Sequence, residues 1–226
     1  MKKISLGFAF LLFAFYSLFS ANAFAQAGAT GFDLIGGLYV PVLDQDVKFS
    51  GGNMTTTVTS EDPMVGIGGA IAFGYKWQYI GVYVQQDLGG VWLTGDDADA
   101  ADKTDSNYGW FLGGTYAVLR GMYPVNSQFQ VDVGVGLGVM YGDGDDAKDG
   151  LKKDYKFPLI SDKHGDPSAA FAMKFAFSGT YYFAGNMGVG LMLDYNLGVK
   201  TYKDGGIEVK RYLHQVNPGF HFRMNF

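Results

Sequence analysis

The chain has 226 residues without a single cysteine, which excludes disulfides, thiolate metal sites and cysteine nucleophiles. Aromatic residues reach 16%, too many for a disordered chain, while charged residues stay at 17%. The chain is acidic, with 22 Asp and Glu against 17 Lys and Arg, and this balance disfavours nucleic acid as a partner.

The first 25 residues are predicted to be a cleaved signal peptide. Lys2 and Lys3 precede an apolar run over 4–19, which is the order of a secretory signal. Cleavage is expected at a small-x-small motif formed by Ala23 and Ala25, so that Gln26 begins the mature domain, 26–226. Cleavage after 21–23 and an uncleaved membrane anchor are the alternatives. Later in the chain no run approaches the ~18 apolar residues that a membrane helix needs.

Eight segments of the mature domain alternate apolar residues with polar or small ones at period two, which predicts strands with two different faces. The predicted strands are 32–43, 64–75, 79–93, 108–119, 129–141, 168–183, 187–202 and 209–226. In the fifth strand, apolar odd positions oppose Gly134, Gly136 and Gly138. A face of glycines suits the crowded interior of an eight-stranded barrel.

The connections alternate between short and long. Pro41 is expected near the end of the first strand because it cannot donate a ladder hydrogen bond. The polar stretch 44–63 contains a predicted hairpin that extends beyond the first strand. The fourth strand groups Leu112, Tyr116 and Val118 on one face. The remaining connections are predicted over 76–78, 120–127 and 184–186, which are short, 203–208, which is of medium length, and 94–107 and 142–167, which are long and rich in aspartate.

The last predicted strand alternates aromatic and polar residues to its final position. Its apolar face consists of Phe220, Phe222, Met224 and Phe226. Soluble domains seldom end on an aromatic residue because termini fray. This ending resembles the C-terminal signal of bacterial outer-membrane β-barrels, which is read by their insertion machinery.

The strand number and the alternating connection lengths resemble the small outer-membrane barrels of the OmpA, OmpX and OmpW type. The resemblance covers 32–226 as architecture. It implies an all-β fold, an eight-stranded antiparallel transmembrane β-barrel of up-and-down topology with short periplasmic turns and long extracellular loops. It also implies a monomer without cofactor, whose partners are outer-membrane lipid and, during biogenesis, the barrel assembly machinery and periplasmic chaperones.

A soluble sandwich or a lipocalin-like barrel is the structural alternative, since it too has alternating strands and a signal peptide. Such a protein would have to expose either its Phe, Tyr and Leu face or its acidic face to water. The faces lined by glycine are also poor solvent surfaces. The transmembrane barrel is therefore favoured.

Charged residues on the inward faces form the candidate site. They are Asp33, Asp87, Asp132, Lys174, Asp194, Lys200 and Arg223. Asp33 and Arg223 lie near the turn end of the first and last strands, and Lys174 and Asp194 lie at mid-height on neighbouring strands. Charges in a dry lumen need partners, so we expect each pair to meet. The network is either an ion path or gate, or a salt-bridge plug, and the narrow lumen favours the plug.

Catalytic and metal sites are disfavoured by the residues present. An enzyme needs a nucleophile and a base within hydrogen-bond reach; His164 and Ser168 both flank a long loop, and His221 is expected to fill the lumen. The loop 143–150 is similar to a calcium loop, but Lys156 stands where a bidentate Glu is required. No catalytic, metal or cofactor residues are predicted, and loose cation binding by the acidic loops stays open.

These features favour a structural or surface-interaction role, such as adhesion, through the acidic loops of a bacterial outer-membrane protein. A narrow porin-like channel for small or apolar solutes is the alternative, followed by a lipid-modifying enzyme. The sequence does not identify an extracellular ligand.

Deletion of Phe226 should impair assembly more than it weakens the finished barrel, because the terminal aromatic is the expected recognition signal. Folded barrel in outer-membrane fractions, measured by its shifted migration in unboiled gel samples, should fall relative to total protein. Phe183→Ala is the control, since it removes an aromatic residue from another strand. Normal outer-membrane levels of the deletion variant would contradict the assembly signal.

Overall fold

The computed structural model describes residues 30–51, 54–59, 63–92, 109–144, 168–204 and 207–226. The regular structure in these ranges consists of ten strands: β1 Gly31–Tyr39, β2 Val42–Gly51, β3 Met54–Thr59, β4 Met64–Lys76, β5 Ile80–Trp92, β6 Gly109–Pro124, β7 Phe129–Gly144, β8 Ser168–Ala184, β9 Met187–Asp204 and β10 Ile207–Asn225. None of the described residues belongs to a helix long and apolar enough to cross a membrane. The predicted signal peptide, its cleavage site and nearly all of the two long acidic loops lie outside the described residues.

The strands close into a ring of eight. β1 pairs antiparallel with both β4 and β10, and the remaining strands pair antiparallel with their neighbours in the chain. β2 continues the ring strand that β1 begins, since it pairs with β10 from Val42↔Val216 to Ser50↔Glu208. The predicted eight-stranded antiparallel barrel is confirmed.

Short connections lie at one end of the ring. Two to four residues join β4 to β5, β6 to β7 and β8 to β9. The same end holds the start of β1 and the end of β10, which pair as Asp33↔Asn225. The structure therefore has the predicted arrangement. Both described termini lie beside the short turns, and the long connections leave from the opposite end.

Pro41 lies just beyond the end of β1, as expected, in the break before β2, and the ring strand continues past it. The ladder is interrupted between β1 and β2, where Val40 N donates to Pro218 O (3.0 Å) and Gly66 N donates to Pro41 O (3.1 Å). Proline has no N–H for the ladder, which explains why the break falls there. The strand then continues to Gly51, and β2 and β3 form the predicted hairpin.

The stagger of the strands fixes the width of the barrel. A row of paired residues that leaves β1 at Leu34 passes around the ring to His214 and returns to the first ring strand at Asp44, ten residues further along. Over eight strands this corresponds to a strand tilt of about 40° and a radius of roughly 8 Å. Inward side chains fill an interior of this size.

Side chains alternate between the lumen and the exterior. On β5, Val82 and Val84 are 50% and 63% exposed, while Tyr83 and Gln85 between and beside them are 1% and 2% exposed. Large apolar side chains are exposed on the exterior all around the ring: Leu38, Phe73, Val84, Leu119, Val135, Phe177, Leu191 and Phe220. The fold therefore turns an apolar surface outward and a mixed polar and apolar one inward.

β6 extends beyond its predicted end, and its predicted apolar face is oriented differently from those of the other strands. The sequence ends this strand at 119, but the strand continues through Arg120 to Pro124. The face that carries Leu112, Tyr116 and Val118 points into the lumen, whereas the apolar faces of the other predicted strands point outward. Both faces of β6 are apolar, and periodicity alone does not tell which of two apolar faces is buried.

Gly31 lies at the seam where the first and last strands meet. Its φ is +155°, and a Cβ there would lie 2.2 Å from the main-chain oxygen of Phe226. Gly31→Ala should therefore lower the unfolding temperature, with a loss on the order of 1–3 kcal/mol, measured as the temperature at which the gel shift of the folded barrel disappears. Gly36→Ala is the matched control, because a Cβ at Gly36 meets nothing within 4 Å. Equal losses in both variants would contradict a steric role for Gly31.

Candidate functional site

A buried guanidinium joins three strands at the turn end of the lumen. Arg223 on β10 is 0% exposed. Its Nε lies 2.8 Å and its Nη2 lies 2.5 Å from Asp33 Oδ2 on β1, and its Nη1 donates to Asp132 on β7. The structure thus brings together Asp33 and Arg223, and adds Asp132 from across the lumen. A buried ion pair offsets its desolvation only when its geometry is this complete.

Neutral side chains complete this turn-end cluster of Arg223, Asp33 and Asp132. Tyr83 Oη donates to Asp33 Oδ2 at 2.6 Å, and Gln130 Nε2 donates to Asp132 Oδ1 at 2.6 Å. Each carboxylate therefore accepts hydrogen bonds from more than one side chain, as a charge held away from water requires.

A second cluster, at mid-height, is centred on Lys174 of β8. Its Nζ lies 2.8 Å from Asp87 Oδ2 on β5 and 2.7 Å from Asp194 Oδ2 on β9. Gln85 Nε2 donates to both carboxylates, at 2.9 and 3.0 Å. The Lys174 ammonium also lies 4.8 Å from the centroid of the Tyr116 ring, within the range of a cation–π contact. The mid-height cluster therefore ties strands on opposite sides of the ring.

Arg120 connects the two clusters. Its Nη2 donates to Gln85 Oε1 at 2.9 Å, and its guanidinium carbon lies 5.5 Å from the centroid of the Tyr83 ring. At the turn end, the buried Lys76 ammonium lies 5.7 Å from the centroid of the Tyr182 ring. Both cations are no more than 4% exposed, so they belong to the lumen and not to the surface.

Each of the eight ring strands contributes one buried charge to this part of the lumen, and the sign alternates around the ring. In ring order they are Asp33, Lys76, Asp87, Arg120, Asp132, Lys174, Asp194 and Arg223. Every carboxylate therefore has a cation on each neighbouring strand. These eight charges sum to zero, which removes the need for a counterion in the lumen.

Little free space remains between the clusters. A cavity of about 10 Å³ is lined by apolar residues and by the polar or charged side chains of Gln85, Arg120, Ser178, Asp194 and His221. This volume is about the room that one water needs. His221 fills the lumen beside it, with Nε2 2.8 Å from Thr180 Oγ1. This cavity alone is too small to serve as an aqueous path.

Apolar side chains close the outer end of the lumen. Leu43, Val91 and Met140 are 0% exposed, and Leu112 and Leu213 are 3% and 1% exposed. These five residues, the outer plug, come from β2, β5, β6, β7 and β10 and so reach around the ring. A charged solute would have to leave water to pass between them, at a cost of several kcal/mol.

Lys200 is the predicted lumen charge that lies outside both clusters. It is half-buried near the outer end of β9, opposite Arg211 in the β9–β10 register. The other six predicted charges, Asp33, Asp87, Asp132, Lys174, Asp194 and Arg223, belong to the two clusters.

Sequence reasoning missed the buried cations Lys76 and Arg120, a third, Arg211, nearer the outer end, and the outer plug. It assigned Lys76 and Arg120 to connections, although period two continued along β4 and β6 places both inward. The outer plug was signalled by strand ends that are apolar on both faces, as at Val91 beside Trp92. An apolar residue on an inward face interrupts the alternation of apolar and polar residues in the sequence. It nevertheless fills the lumen as well as a polar residue does.

The described residues contain no group of three or more His, Asp or Glu side chains arranged to hold a metal ion. His164, the side chain of Ser168 and most of the calcium-like loop lie outside the described part of the chain. The two lumen clusters consist of charges that neutralise one another.

No family model matches the chain, and no curated protein matches it. Among solved structures, Neisserial surface protein A is 12% identical with a TM-score of 0.46, covering 84% of this chain and 97% of its own. The outer membrane protein OprG from Pseudomonas aeruginosa is 15% identical with a TM-score of 0.47, covering 88% and 99%. The outer membrane protein AlkL is 14% identical with a TM-score of 0.45, covering 88% and 93%. Similarity at this level carries no information about function.

Replacement of Lys174 by Met should destabilise the barrel by about 3–5 kcal/mol, because two carboxylates are left buried without their cation. The measurement is the midpoint of unfolding in denaturant, followed by tryptophan fluorescence. Lys200→Met is the control, since Lys200 is half-buried outside both clusters, and it should cost less. Adding Asp87→Asn to Lys174→Met should restore part of the loss. Equal losses at Lys174 and Lys200 would show that the mid-height cluster is not required.

Proposed function

We propose that this chain is a closed barrel in the outer membrane of a bacterium that anchors extracellular elements for binding a partner. The exterior supports a membrane location. The 13 residues of β5 span about 40 Å along the strand, which the tilt reduces to roughly 30 Å. This matches the hydrocarbon thickness of a bilayer, and the side chains exposed over that height are aliphatic and aromatic.

Aromatic side chains at both ends of the exterior support the same location. Trp77, Tyr79 and Tyr123 are exposed at the turn end, and Trp92 and Phe111 are exposed at the outer end. Tryptophan and tyrosine are enriched where a membrane protein crosses the two lipid–water interfaces. The two aromatic girdles therefore mark the levels proposed for the lipid headgroups.

The observation that carries the role of an anchor is the closed lumen. The turn-end cluster, the mid-height cluster and the outer plug follow one another along the axis, and the cavity between the clusters has room for about one water. A barrel filled in this way is a rigid plug and not a passage. The role requires no catalytic residue and no cofactor.

The strands extend beyond the outer girdle and form a platform. From Asp44 onward the outward face of β2 becomes polar. At its base, Asp46 Oδ2 on β2 lies 3.5 Å from His214 Nε2 on β10, and His214 Nδ1 lies 2.7 Å from Tyr195 Oη on β9, beside the mid-height residue Asp194. These contacts brace the base of β2 against β10 and β9, which supports a fixed position of the β2–β3 hairpin for interaction with a partner.

The purified full chain should show no steady conductance in a planar bilayer, because its lumen is closed. The sample should first be shown to be folded by the difference in migration between boiled and unboiled samples. Cell fractionation should place the protein in the outer membrane. Steady, ion-selective openings would overturn the role of a closed anchor, and recovery of soluble protein from the periplasm would overturn the membrane location.

A further inference from the structure

One strand of the described chain has a partner on a single side. β3 pairs with β2 from Asp46↔Thr59 to Gly51↔Met54, and its other edge meets no described strand. Met54 is 74% exposed, and Thr55, Thr56, Thr57 and Thr59 are exposed as well. The described side chains of β3 thus leave both of its faces open, so the strand stands free of the barrel body.

The composition of β3 leaves this edge unprotected. Proteins usually guard a free edge with charges, proline or a bulge, because its unpaired N–H and C=O groups accept another strand. The six residues of β3 read Met-Thr-Thr-Thr-Val-Thr and contain no charge and no proline. Threonine and valine are also strong strand formers. The free edge of β3 is therefore suited to pairing with another strand.

The register shows which backbone groups point outward. Two residues separate Gly51 from Met54, so these two close the hairpin as a hydrogen-bonded pair, and the bonding then alternates along the ladder. In this alternation the backbone N–H and C=O groups of Thr56 point toward β2. The backbone N–H groups of Thr55 and Thr57 point to the free edge. An incoming strand would find these donors at every second residue.

We propose that the free edge of β3 binds an extended, uncharged segment of an extracellular polypeptide, which adds to the β10–β2–β3 sheet as a further strand. This mode of recognition takes its affinity from main-chain hydrogen bonds. The proposal deepens the surface-binding role proposed above and rests on it, since β3 must lie outside the cell.

A second copy of the chain in the same membrane is a poorer occupant. A two-fold axis along the membrane normal preserves the upward direction of each strand, whereas antiparallel pairing of two β3 edges needs opposite directions. At a tilt of about 40° most of each strand's length is vertical. A free segment of another polypeptide has no such restriction, and it is not repelled by the uncharged edge.

The test uses the full chain in lipid nanodiscs and a fluorescent peptide that copies residues 53–60, Asn-Met-Thr-Thr-Thr-Val-Thr-Ser. The peptide should bind saturably, and the same peptide N-methylated at alternate residues should not, since it lacks the donors for pairing. Thr57→Pro removes one outward N–H while proline is tolerated on an edge, and it should weaken binding at least about tenfold. Thr57→Val keeps the N–H and should bind within about threefold of the natural chain.

Absence of binding by the unmethylated peptide, or equal binding to the natural chain and to Thr57→Pro, would overturn the proposal. The gel shift and the conductance of the same samples report the barrel independently. A folded, non-conducting barrel that does not bind the peptide defeats the edge site alone. A conducting barrel, or one found outside the outer membrane, defeats the proposed function.

Discussion

The structure depends on burying eight charges in a lumen filled by side chains. The carboxylates pair with Arg223 or Lys174, from a neighbouring strand or from across the lumen. Neutral donors such as Tyr83, Gln85 and Gln130 complete the coordination of these carboxylates. Buried ion pairs contribute little net stability compared with apolar packing, but removing one partner is costly. The charges therefore specify which strands meet around and across the lumen more than they raise the stability of the barrel.

The alternation of side chains along each strand creates two surfaces, the lumen and the exterior, and these have different packing requirements. The exterior only has to be apolar, so any large apolar side chain serves there, and its identity matters little. The interior is a narrow space that must be filled by groups that satisfy one another, so both polar clusters and the apolar outer plug occur in it. This explains why β6, with Leu112 and Phe111 side by side, has two apolar faces that serve different purposes.

Period-two alternation was enough to predict the eight ring strands, the hairpin of β2 and β3, and the adjacency of Asp33 and Arg223. Adjacency follows from closing the ring between the first and last strands, so it needs no measured register. The approach of Asp132 to Arg223 from across the lumen could not be predicted in this way. It depends on the stagger of ten residues around the ring, and a change of register by one residue would turn every side chain of a strand to the other face.

The alternating signs around the ring have a consequence for chain completeness. Arg223 and Asp33 are separated by 190 positions in the sequence, so their contact forms only when the last strand has reached the first. A circle of alternating signs can close only with an even number of members. A chain that lacks one strand loses one member of this set and leaves an unbalanced charge in the closed interior. The lumen charges thus balance only in the whole barrel, and a partial barrel carries an electrostatic penalty.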